Sequence, residues 1–99
     1  MRADPLQVTE DYVREFASLM GLDIGWTPEA REQLGELGLI RLDVLHILKD
    51  PTVASCEKET ADGAFIRCSG LTVDQVELHI TLWVDVNVPI MKVISLSKS

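Results

Sequence analysis

Glu77, His79, Thr81 and Trp83 occupy every second position of a stretch whose other members are Leu78, Ile80, Leu82 and Val84. On an extended strand this spacing turns the four side chains to one face. Successive Cα atoms are then about 6.5–7 Å apart, near enough for Glu77 and His79 to share a proton or a substrate. Arg67 and Lys92 fall on the neighbouring predicted strands. With Glu77 and His79 they bring to one face a base and an acid to move protons and cations to hold an anion. A half-buried strand produces the same alternation for purely structural reasons. The plainer expectation is therefore a solvated face with one large flat anchor, Trp83, and Thr81 beside it, suited to a protein partner.

The charge favours that expectation. Sixteen acidic and nine basic residues in 99 give a formal net charge of −7, so no bulk positive field draws in a phosphate backbone, which argues against nucleic acid. Residues 1–50 carry −5 and residues 51–99 carry −2. The acids of the first half, among them Glu10, Asp11, Glu15, Asp23, Glu29, Glu32 and Glu36, fall in predicted helices. Such a surface serves solubility, or it covers the basic groove of a partner through Glu29, Glu32 and Glu36.

His46 follows Asp43 by three residues, a helical spacing that fits a surface pair. Cys56 and Cys68 are expected to be reduced and buried on a face shared with Ala54 and Ile66. The chain has no CxxC and no Cys/His cluster, so neither a structural metal nor a cofactor is implied. Asp62 and Asp74 read as turn residues. No apolar run reaches the length of a membrane span and the N-terminus lacks the layout of a secretion signal, so the expected location is the cytoplasm.

A single α+β domain over residues 1–99 must position these groups. Asp4-Pro5 and Thr9 are both possible helix starts, and Tyr12, Val13, Phe16, Leu19 and Met20 form one apolar stripe that Gly21 ends. Trp26 is expected in the core. Thr27-Pro28 caps a second helix that buries Ala30, Leu34 and Leu37 and stops at Gly38. Leu39 and Ile40 should then enter the core. Leu42 or Asp43 opens a short helix that buries Val44, Leu45 and Leu48 and ends at Asp50-Pro51. From Val53 the period becomes 2. A hairpin tip at Ala61-Asp62-Gly63 would place Glu57 opposite Arg67 and Cys56 opposite Cys68. Tips at Asp74-Gln75 and Asp85 to Val88, with Asn87 left-handed, then lead to a last strand from about Pro89 to Leu96. The result is two or three N-terminal helices packed on a four-stranded antiparallel meander. An uncovered strand edge would allow a homodimer, which Pro89 mildly opposes.

The stretch TPEAREQLGELGLIRLDVLHILKDP, Thr27 to Pro51, followed by hairpins ending in MKVISL, resembles a family of small bacterial domains related to the BrnT and RelE ribonuclease toxins. Ala30, Leu34, Gly38, Leu39, Asp43, Val44, Leu48, Asp50 and Pro51 match its frame. The resemblance implies a toxin-like α+β core over about residues 27–97, with residues 1–26 as a helical extension. Glu29 stands where the family carries histidine, and Gln33 and Leu37 where it carries arginines. Without those charges the fold carries over and the ribonuclease activity does not. The reading reached from the sequence is a non-catalytic, acidic interaction module of toxin-like fold. A nuclease using Arg67, Glu77, His79 and Lys92 is the alternative, and a homodimeric structural protein a third.

Overall fold

The structure, a computed structural model, describes residues 5–58, 63–85 and 90–98. Helix α1 (Pro5–Met20) opens on a proline, whose fixed φ suits the first helical position. It buries Val13, Phe16 and Ala17. Leu19, expected in that stripe, is 74% exposed, because it lies roughly 110° round the helix from the buried line. A short 3-10 turn (Gly21–Asp23) leads into strand β1 (Gly25–Trp26). Trp26, expected in the core, is half-buried against its edge.

Thr27 joins two layers. Its Oγ1 accepts the Ala30 N–H (3.1 Å), which caps α2 (Pro28–Glu36), and its hydroxyl donates to the Ile94 carbonyl (2.9 Å) in the sheet. Gly38, at φ +69°, ends this segment in the left-handed conformation that glycine adopts without cost. Helix α3 (Arg41–Leu48) starts a residue or two before the expected Leu42 or Asp43, because Asp43 reaches back to accept the Ile40 N–H (2.9 Å). Ile40 stands outside that first turn and is 60% exposed rather than in the core, whereas Leu39 is half-buried against it. Val44 and Leu48 are buried as expected, Leu45 only partly, and Ile47 takes up the remaining core face.

The other strands are β2 (Thr52–Lys58), β3 (Gly63–Leu71), β4 (Glu77–Asp85) and β5 (Ile90–Lys98). They pair antiparallel in chain order, but the sheet has five strands and is mixed: β1 adds to the free side of β5 in parallel, giving the order β1-β5-β4-β3-β2. Two residues offer no alternation, so β1 has no signature of its own. The hairpin register also differs from expectation. Glu57 stands opposite Phe65, Cys56 opposite Ile66 and Ser55 opposite Arg67, a slip of two residues toward a shorter β3 arm, and a bulge at Ala54 brings Val53 opposite Cys68. Gly63 belongs to β3 rather than to the tip, and it must be glycine there because a Cβ would collide with the Trp83 ring. The even slip preserves the faces of Cys56 and Arg67. Ala54, taken out of the ladder by the bulge, is exposed instead of sharing the cysteines' face.

Between β3 and β4 the turn holds Asp74 and Gln75 as expected, with Gln75 at φ 64° and the Thr72 N–H donating to the Val76 carbonyl (2.9 Å). Asp4, the Ala61-Asp62 tip, Asn87 and Pro89 lie outside the described residues. Along β4, Leu78, Ile80, Leu82 and Val84 are buried with Ile66, Cys68, Met91, Val93 and Leu96 under the three helices. The helices cover that face alone.

Candidate functional site

The pleat of β3, β4 and β5 sorts the outward side chains into cross-strand rows. Phe65, Trp83 and Lys92 form one row, Arg67, Thr81 and Ser95 the next, and Ser69, His79 and Ser97 the third, with Glu57 opposite Phe65, Ser55 opposite Arg67 and Thr52 opposite Ser69 on β2. A bulge in β5 between the first two rows advances it by one residue, so that Ser95 rather than Ile94 faces Thr81. Glu77 closes the array opposite Leu71, and Asp85 stands at the far end of β4.

Trp83 is half-buried. Its ring covers Gly63 and meets Phe65 edge-on, with centroids 4.9 Å apart and planes at 64°. Such a pair adds attraction beyond buried area, and it fixes the indole before any partner arrives. Phe65 was not singled out from the sequence, although alternation along β3 puts it on the Arg67 face. Lys92 stands on the other side of Trp83 and lays its stem against Gly25, with Cγ 3.6 Å from where a Cβ would be.

The proposed nuclease set divides. Arg67 and His79 share a shallow concavity with Ala54, Thr81, Ser95 and Ser97. Glu77 and Lys92 do not line it; Glu77 ends β4, and Lys92 is one row away across the strand. The hydroxyls of Ser95 and Ser97 are contributors that sequence reasoning passed over, because their place depends on the β5 bulge. Among the described residues, the only ion pairs within 4.0 Å join Arg14 to Asp11 and to Asp50, on the helical side.

Glu29, Glu32 and Glu36 are exposed along α2, away from the concavity. Gln33 and Leu37, where the toxin resemblance implies arginines, serve packing: Gln33 Oε1 accepts the Leu96 N–H (2.6 Å) and Leu37 rests against the core. Glu10 has a structural role too, accepting the Val53 N–H (2.9 Å) at the β2 edge. The carboxylate of Asp43 is engaged by Ile40, and His46 is exposed with no bond to it. Cys68 is buried, and burial pushes its thiol up to about 12, which makes it a poor nucleophile. Burial, and secondarily the Asp85 carboxylate, also raise the Tyr12 phenol, whose buried hydroxyl has no hydrogen-bond partner among the described residues.

No group of three or more His, Cys, Asp or Glu able to hold a metal ion occurs among the described residues, and none of their helices is long and apolar enough to cross a membrane. No protein-family model matches the chain, and comparison with curated proteins and with solved structures gives no significant match.

Proposed function

We propose that the protein is a non-catalytic interaction module that binds a protein partner through the open face of its sheet. The Phe65–Trp83 pair carries this reading. Two aromatic rings, already fixed against each other, sit half-exposed on the face that no helix covers, with Arg67 and Lys92 beside them. Tryptophan and arginine, ringed by polar groups, are the side chains that dominate association energies. We read residues 27–97 as a toxin-like core. Supporting this is the order helix, corner, helix, antiparallel strands. Gln33 and Leu37 serve packing where that family would place charge, which supports the non-catalytic role.

The test places a photo-crosslinking amino acid at Ser97, on the open face, and separately at Glu32 on α2, in cells that make the protein. A discrete protein adduct from Ser97 that disappears with Trp83→Ala or Arg67→Glu is the expected result. Adducts from Glu32 alone, or none from either site, would reject the reading. The shared concavity of Arg67 and His79 supports the nuclease alternative. RNA cleavage by the purified protein that is lost in His79→Ala would establish that alternative instead.

A further inference from the structure

The open face gathers cations in its middle, although the molecule as a whole is acidic. Between Glu77 and Asp85 at the two ends of β4, the three central rows hold Arg67, His79 and Lys92 on β3, β4 and β5, while Glu57 stands on β2 opposite Phe65, three strands away from Lys92. The remaining polar members are hydroxyls. Thr81 stands directly opposite both Arg67 and Ser95, and His79 directly opposite both Ser69 and Ser97. Arg67 is exposed and makes no ion pair within 4.0 Å among the described residues. An arginine fork in a concavity walled by hydroxyl donors is complementary to a carboxylate, which accepts two parallel N–H bonds and has lone pairs left for O–H donors. The Trp83 row lies about 7 Å further along the strand, and the His79 row about 14 Å from Trp83.

From this the geometry points to an acidic polypeptide segment as the partner, its carboxylate seated between Arg67 and the hydroxyls of Thr81 and Ser95, and an apolar side chain about 7 Å away on the Phe65–Trp83 pair. This assignment rests on the open-face reading above and names the chemistry of its occupant. Lys92 meets a second carboxylate beyond the indole. The helical layer, rich in acids, repels the same segment, so the occupant is directed to one side of the molecule.

The probe is the acetylated, amidated peptide Glu-Glu-Phe-Glu-Glu, titrated into the full chain while the backbone amides and the Trp83 indole N–H are followed by NMR. Its glutamine counterpart and a uridine tetranucleotide serve as the other arms. The expected result is saturable shifts at Thr81, Ser95 and the indole, with the glutamine peptide and the tetranucleotide each at least tenfold weaker. Arg67→Gln should weaken the acidic peptide at least fivefold, Arg67→Lys less, and Lys49→Gln, on the helical side, not at all. Equal binding of the glutamine and glutamate peptides at the indole overturns the acidic assignment while leaving open-face docking intact. Tighter binding of the tetranucleotide overturns the assignment in favour of a nucleic acid. Silence of the acidic peptide while the Ser97 crosslink still forms also overturns it. Loss of that crosslink is the separate failure that removes the docking reading.

Discussion

At Cys68 a single thiol couples the core to pH. Only 2% of the residue is exposed, and burial raises the thiol from 9.0 to about 12, so the folded state favours its neutral form. Its contribution to stability is therefore complete below pH 9. It declines by roughly 1.4 kcal/mol per pH unit as the unfolded thiol ionises, until the folded thiol follows near pH 12. Urea titrations between pH 8 and 11 should show this decline, and Cys68→Ala should make it shallower by one proton's worth. A thiol reagent should modify the half-buried Cys56 first and Cys68 only on unfolding. Thr27 is the other residue with a large expected effect, since it serves both the α2 cap and the Ile94 carbonyl. Thr27→Ala should cost about 1–2 kcal/mol in equilibrium unfolding, and Thr27→Ser should restore most of it.

Elements with a repeated pattern are the ones the sequence made legible. The five-fold alternation from Val76 to Val84 announced β4 and its buried face, and Thr27-Pro28 with Gly38 bounded α2. β1 escaped because it consists of Gly25 and Trp26 alone and depends on a partner far along the chain. The hairpin register escaped because an Asp-Gly tip is a local signal, while the pairing is set by tertiary packing of Trp83 over Gly63 and by the Ala54 bulge. The candidate site was readable to the same extent. One strand's worth, Glu77, His79, Thr81 and Trp83, was visible, whereas the company of Ser95 and Ser97 required the β5 bulge. Gly63→Ala is thus expected to displace the indole, shifting tryptophan emission along with a fall in melting temperature. On β4 itself, Leu82→Ala should cost about 2–5 kcal/mol and Glu77→Ala less than about 0.5 kcal/mol, measured by chemical denaturation.

Across the whole molecule the acids concentrate in the helical layer. Residues 5–50, all of α1, α2 and α3, hold nine acids and four bases, while the open sheet face sets Arg67, His79 and Lys92 in its middle, with Glu57 on β2 and Glu77 and Asp85 at the ends of β4. Association of an acidic partner with that face should slow as salt rises, because the Debye length shrinks from about 10 Å at 0.1 M to about 3 Å at 1 M; stopped-flow rates that ignore salt would show that apolar contact alone sets the encounter. The sheet's order has a further consequence for how the chain is made. β5 lies between β1 and β4, and Thr27 bonds to Ile94 across 67 positions of sequence. While the polypeptide is being synthesised, the early helices have no finished floor to settle on, and their oily sides stay uncovered until β5 emerges. Assembly consequently waits for β5, and the nascent chain is a natural client for holding factors until then.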